Sequence, residues 1–205
     1  MTTLLLARHG ETDWNREGRF QGHADPGLNE SGREQARALA VELDASPPDA
    51  VYASDLRRAV ETAEIVATRF DLPVRVDAAL REVDVGEWSG LTWAEIGERF
   101  PEGAARHSTR GHGWEHGESY EQMAERVVAA LLQIAGRHEG DRVLIVVHGG
   151  TMRAVAARLD GVPVAEHRRG APPVRNGEVR LVEYEGGAMR PACSPTPDVR
   201  RREAG

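Results

Sequence analysis

The stretch Leu4-Leu5-Leu6-Ala7-Arg8-His9-Gly10-Glu11-Thr12 decides how this chain is read. Its first four residues are an unbroken apolar run, too short for a helix and lacking the alternation of a half-exposed strand. Such a run suits a strand buried on both faces of a sheet. The next residues are a cation, an imidazole, a glycine and a carboxylate. The arrangement recurs at Val143-Leu144-Ile145-Val146-Val147, which leads into His148-Gly149-Gly150-Thr151. A third short run, Ala50–Ala53, leads into Ser54-Asp55-Leu56-Arg57-Arg58.

Between and after these strands the pattern is helical. Ser31-Gly32-Arg33-Glu34 has capping-box spacing and predicts a helix running through Leu43. Leu56, Ala59, Val60, Ala63, Val66, Ala67 and Phe70 repeat at helical spacing, as do Tyr120, Met123, Val127, Leu131 and Ile134. Gly149-Gly150 predicts a break, with helix resuming over 152–159. Residues 74–76 and 179–184 read as further strands. Strands alternating with helices predict an α/β fold, a three-layer sandwich with a mostly parallel sheet flanked by helices on both faces. One domain is expected over 1–185, with a lid-like excursion at about 82–119. Residues 186–205, with an Arg200-Arg201-Arg202 run and no apolar periodicity, are expected to form a flexible tail.

Composition narrows the partners. The chain has 205 residues, 26 basic and 33 acidic side chains and a net charge of −7. That balance argues against a nucleic-acid binder, and no apolar run approaches the roughly 18–20 residues needed to span a bilayer. The apolar run near the N-terminus is shorter than the roughly 7–15 residues of a signal core, so a cytoplasmic protein is expected. The single cysteine, Cys193, excludes an internal disulfide and a multi-cysteine metal site. Every basic side chain other than histidine is arginine, so an anion site must use guanidinium, imidazole or backbone N–H groups.

In an open parallel sheet ligands bind beyond the carboxyl ends of the strands. Three strand ends here deliver His9, His148 and arginines 8, 57 and 58 to one edge, a set suited to a phosphate dianion. Taken singly, His9 could equally cap a strand and His148 could mark a turn. Arg57 and Arg58 are neighbours, about 100° apart on a helix, so at most one points squarely into the site.

Taken together, Arg8-His9-Gly10-Glu11-Thr12 with Trp14-Asn15, Arg19-Phe20-Gln21-Gly22, Leu28-Asn29-Glu30-Ser31-Gly32, Ser54 through Thr62, Leu80-Arg81-Glu82, Trp88-Ser89-Gly90, Gly117-Glu118-Ser119 and Val147-His148-Gly149-Gly150 resemble branch 1 of the histidine phosphatase superfamily, the phosphoglycerate mutase-like phosphatases. The resemblance runs in order over roughly residues 3–184. It implies that His9 is the nucleophile, that Arg8, Arg58 and His148 hold the phosphoryl oxygens, and that Glu82 protonates the leaving oxygen. Arg58 is preferred to Arg57 because it directly precedes the Ala-x-x-Thr segment. Asn15, Gln21 and Gly22 match positions lining the substrate mouth. It implies further a metal-independent phosphomonoesterase acting on a small phosphorylated metabolite of sugar phosphate or phosphoglycerate type through a phosphohistidine, with no cofactor. Homodimers occur in that family, and no feature of this sequence identifies an interface.

Phosphoryl transfer needs an in-line nucleophile and cations around the equatorial oxygens, which these residue types supply. Two other readings are carried forward. A cofactor-dependent phosphoglycerate mutase would need to shield its phosphohistidine from water, and the segment between Glu82 and Gly117 looks short for that. A catalytically silent phospholigand-binding protein is disfavoured by the presence of all five site residues. His107, His112 and His116 form a second histidine group; His112 and His116, four apart, could bind zinc on a helix, but Gly111, Gly113 and Gly117 oppose a helix there. A mobile polar lid, with no metal, is the expectation there.

Overall fold

A computed structural model describes residues 1–110 and 112–192. Six strands form one sheet: β1 (Thr2–Arg8), β2 (Ala50–Ala53), β3 (Val74–Val76), β4 (Arg142–Val147), β5 (Val179–Glu185) and β6 (Ala188–Pro191). Their spatial order is β3-β2-β4-β1-β5-β6. The first four are parallel, with Leu6 beside Ile145 and Tyr52 beside Ile145, while β5 runs antiparallel to β1 and β6 antiparallel to β5.

The two apolar runs occupy the middle of the sheet. Leu5, Ala7, Val51, Ala53, Leu144 and Val146 pack under α2 (Glu30–Glu42) and α3 (Arg57–Phe70). Leu4, Leu6, Tyr52, Val143, Ile145 and Val147 pack under α6 (Tyr120–Gly136) and α7 (Gly149–Asp160) on the other face. Period-two geometry sends alternate side chains of one run to opposite faces, so a helix layer on each side requires an apolar residue at every position. Three further helices, α1 (Asp13–Arg16), α4 (Trp93–Arg99) and α5 (Pro101–Arg110), lie in connections, and α8 (Val164–Gly170) follows α7. No helix among the described residues is long and apolar enough to cross a membrane.

Three expectations about element boundaries are corrected. Helix α2 starts at Glu30, capped by the Asn29 side chain accepting from the Gly32 N–H, rather than at a Ser31 capping box. Its first turn presses on the turn after β1, where a Cβ at Gly32 would lie 2.1 Å from the Glu11 carbonyl oxygen. Helix α7 begins at Gly149, not after the glycine pair, because glycine in a first turn sacrifices little and admits a close neighbour. The chain does not lose structure at Gly186. Gly186 and Gly187, with φ of 60° and 86°, make a two-residue hairpin turn that returns the chain as β6. Residues 193–205, including Cys193 and the arginine run, lie outside the described residues.

The excursion at 82–119 is not a polar flap. It carries α4, α5 and a 3-10 turn at Gly86–Trp88, and it buries Trp88, Ile96 and Trp114 in the main core. The Trp88 and Trp114 rings meet edge to face at 5.4 Å. The glycines that suggested looseness serve close backbone packing, since a Cβ at Gly113 would sit 2.0 Å from the Gly103 carbonyl oxygen. Trp93 remains exposed, stacked at 6.1 Å on Phe20. The three histidines do not converge. His107 packs among Trp88, Trp93 and Trp114, His112 lies against Trp114, and exposed His116 faces Glu87. Among the described residues no three metal-ligating side chains form a group.

Candidate active site

The carboxyl ends of β1 and β4 are neighbours, so His9 and His148 emerge side by side. Their ring centroids are 5.2 Å apart at an interplanar angle of 60°. The His9 backbone is fixed at both ends: its N–H donates to Val147 and its carbonyl accepts from the Asn176 side chain. The ring Nδ1 lies 2.7 Å from the Gly10 carbonyl oxygen. A carbonyl only accepts, so Nδ1 carries the proton and Nε2 keeps its lone pair. Gly10 is itself held, its N–H donating to Thr62 Oγ1 at 3.0 Å.

His148 is fully buried at the start of α7, and neither ring nitrogen has a hydrogen-bond partner among the described residues. Burial pushes both imidazoles well below the usual histidine range. For each, the Arg58 guanidinium is the next cause, and Arg8 adds to it. The neutral forms therefore persist in the fold when free histidine would protonate. Below the unfolded value of about 6.5 the unfolded chain takes up protons that the native chain refuses, so stability falls with falling pH. Each histidine's slope grows from about half its limit near pH 6.5 toward that limit, on the order of 1 kcal/mol per pH unit, below pH ~5.5. Denaturant titrations between roughly pH 6.5 and 5.5 would read it, and a flat profile would contradict it. His148→Gln should remove about half of the slope, because each imidazole contributes one proton to the difference.

Arg58 sits in the first turn of α3 and is 1% exposed. It donates to the Gly22 and Ala24 carbonyls at 2.9 and 2.7 Å, while its Nε has no partner among the described residues. Arg8 donates to the Val174 carbonyl at 2.6 Å, and its Nε likewise has no partner among the described residues. Neither guanidinium forms an ion pair among the described residues, and burial pushes both down, Arg58 to about 10. Arg57 points outward to Glu61, which settles which of the adjacent arginines enters the site.

Glu82 reaches the same cleft from the connection after β3. Its Oε1 accepts from the Val83 N–H at 2.9 Å and its Oε2 from the Gly150 N–H at 2.8 Å. Gly150 is required for that approach, since a Cβ there would lie 2.2 Å from Oε1. Behind it, the His23 ring donates to the Glu82 carbonyl at 2.9 Å. Arg126 of α6 donates to the Ala79 and Arg81 carbonyls and pairs with both oxygens of Glu118. These two residues position the segment, and sequence reasoning did not find them. Arg126 was one more polar residue on an amphipathic helix, and backbone clamping leaves no motif.

The cleft holds about 320 Å³. Asn15, Gln21 and Gly22 line it, together with Arg8, His9, Arg58 and Glu82. The Asn15 oxygen accepts from the Thr12 N–H and the Asn176 side-chain amide. Gln21 has a buried Oε1 with no partner among the described residues. Gly22 adopts φ of 49° and contributes its carbonyl to Arg58. Arg153 and Tyr120 also line the cleft, and the sequence reading had not singled them out for it.

The family model described as histidine phosphatase superfamily (branch 1) matches residues 4–193. The chain is 42% identical over 164 residues to a metal-independent phosphoserine phosphatase of Arabidopsis thaliana, covering 78% of this chain and 69% of that protein. It is 42% identical over 176 residues to glucosyl-3-phosphoglycerate phosphatase of Mycobacterium tuberculosis, covering 79% and 77%. The solved structure of Bacillus stearothermophilus YhfR superposes with a TM-score of 0.87 at 36% identity, covering 94% of this chain and 96% of the other.

Proposed function

This chain belongs to the histidine phosphatase superfamily (branch 1), and from that premise we propose that it hydrolyses a small phosphate monoester through a phosphohistidine formed on His9. Both relatives named above are phosphatases of small phosphorylated metabolites. The observation that carries the assignment to these residues is the His9 tautomer. Its Nδ1–H is committed to the Gly10 carbonyl, so the unprotonated Nε2 belongs to the atom free to attack.

In the first step Nε2 of His9 attacks phosphorus, an N–P bond forms and the P–O bond to the leaving group breaks. Arg8 and Arg58 direct unpaired N–H groups at the equatorial oxygens, and His148 adds a ring donor. Glu82, entering as the neutral acid, gives its proton to the departing oxygen. In the second step the Glu82 carboxylate takes a proton from water as that water attacks phosphorus. The N–P bond breaks, His9 is restored and inorganic phosphate departs.

The guanidinium groups of Arg8 and Arg58 provide the charge that a metal provides elsewhere. Phosphate release in excess EDTA is therefore expected at the untreated rate, and without added bisphosphoglycerate. Loss of activity that zinc or magnesium restores would overturn the metal-independent mechanism. Strict dependence on bisphosphoglycerate would indicate a mutase.

A further inference from the structure

Two consecutive peptide planes follow the His9 α-carbon, and each of their polar groups has a partner. In the first, the His9 carbonyl accepts from the Asn176 side chain at 2.9 Å and the Gly10 N–H donates to Thr62 Oγ1 at 3.0 Å. In the second, the Gly10 carbonyl oxygen lies 2.7 Å from His9 Nδ1, and the Glu11 N–H donates to the Gln35 side-chain oxygen at 2.9 Å. This second plane carries the acceptor that fixes the His9 tautomer. A peptide unit is planar, so its carbonyl and its N–H point in opposite directions and turn together. Gln35 therefore grips the far end of the rigid unit whose near end meets the imidazole.

The surroundings make such a grip necessary. The plane hinges at Gly10, and glycine leaves its dihedrals freer than any other residue does. Glycine is nonetheless required there, since a Cβ at Gly10 would lie 2.3 Å from the Gly32 carbonyl oxygen. The same close approach brings Gln35 within reach. Gly32 and Gln35 are three apart on α2 and share the face turned toward the end of β1. Gly32 admits the turn, and Gln35 bonds to it. Burial and the Arg58 charge keep the His9 ring neutral, so it has a single proton to place. A carbonyl facing Nδ1 holds the proton on that nitrogen. A plane turned away frees the proton to sit on Nε2, the atom that must attack.

We propose that Gln35 is a positioning residue for the reaction: by accepting from the Glu11 N–H it holds the Gly10 carbonyl against His9 and keeps the Nε2 lone pair available. The proposal rests on the phosphohistidine reading above and extends its machinery to a side chain of α2 that does not line the cleft.

The test reads the His9 ring directly. In wild-type enzyme labelled with nitrogen-15 histidine, the His9 signals, assigned by their absence in His9→Asn, should be those of the Nδ1–H tautomer at neutral pH. Gln35→Met keeps the length and helix propensity of the side chain and removes the acceptor. It should move the His9 signals toward the Nε2–H tautomer. It should also slow phosphohistidine formation in a single turnover by roughly 10- to 100-fold, the cost of a misplaced reacting atom. Affinity for inorganic phosphate, set by Arg8 and Arg58, should stay nearly unchanged. Gln35→Glu keeps an oxygen for the Glu11 N–H and should restore the tautomer and most of the rate. Gln35→Asn, one methylene short of that N–H, should behave as Gln35→Met and takes its place if that variant does not fold. A slow Gln35→Met enzyme with wild-type ring signals would make Gln35 merely structural and overturn the proposal. So would wild-type rate and signals in Gln35→Met, equal losses in Gln35→Met and Gln35→Glu, or an Nε2–H tautomer in the wild type. The ring signals need no turnover. Failure of the wild type to hydrolyse any monoester would refute the phosphatase reading, while the grip of Gln35 on His9 would still stand or fall by the signals.

Discussion

Substituting His9 by alanine abolishes phosphate release, with a loss of at least ~10⁴-fold expected when a covalent nucleophile is removed. Wild-type enzyme quenched during turnover of a phosphorus-labelled monoester should carry label that is lost in acid and kept in base, the behaviour of a phosphoramidate. His9→Ala should carry none. The imidazole is buried and its Nδ1–H satisfies the Gly10 carbonyl, so alanine also removes a hydrogen bond and leaves a cavity. His9→Asn separates the effects. Its side-chain amide can still donate to that carbonyl, yet it offers no ring nitrogen to phosphorus. Equal inactivity of both variants, with vanadate still raising the thermal midpoint, is the expected outcome. Acid-stable label on a serine, or substantial turnover by His9→Asn, would refute the mechanism.

Glu82→Gln gives the second large effect, and its size depends on the leaving group. An alkyl phosphate expels a strongly basic alkoxide that needs a proton, whereas a nitrophenyl phosphate expels a stabilised phenolate. General acid catalysis is typically worth ~10²–10⁴-fold, and that loss should appear in the single-turnover burst for alkyl esters only. The structure predicts a smaller loss common to both. Both Glu82 oxygens accept from backbone N–H groups, of Val83 and Gly150, and an amide can accept only one of them. One of the two donors therefore goes unpaired in the variant, at about 1–3 kcal/mol for a buried donor. The aryl series measures this structural part, and its difference from the alkyl series isolates the proton. Equal losses in both would make Glu82 a positioning residue only.

The two histidines and the arginine pair at 57 and 58 were legible in the sequence because strand ends converge by topology, and the preference for Arg58 within the pair came from the family resemblance. Residues directly after parallel neighbours must share an edge. The central strands were legible for a similar reason, since burial on two faces demands unbroken apolar runs. The glycines were misread. Those at 113 and 150 read as looseness and as a break, but each sits where the Gly103 backbone or the Glu82 carboxylate approaches too closely for a Cβ. Glycine has the same letter in both roles, and only a contact partner tells them apart.

The sequence by itself determined the α/β layering, the edge where the chemistry gathers and the residue types able to handle a phosphate, because hydrophobic period and strand-end position are local properties. Only the tertiary structure decided which nitrogen of His9 keeps its lone pair, since that depends on the Gly10 carbonyl 2.7 Å away. It alone chose Arg58 over Arg57 physically, by turning one to the Gly22 and Ala24 carbonyls and the other to Glu61. It also placed Arg126 and His23 behind Glu82 and left the Arg153 Nε without an acceptor among the described residues. Hydrogen-bond direction, burial and charge pairing join residues far apart in the chain, so they are fixed by packing rather than by spacing.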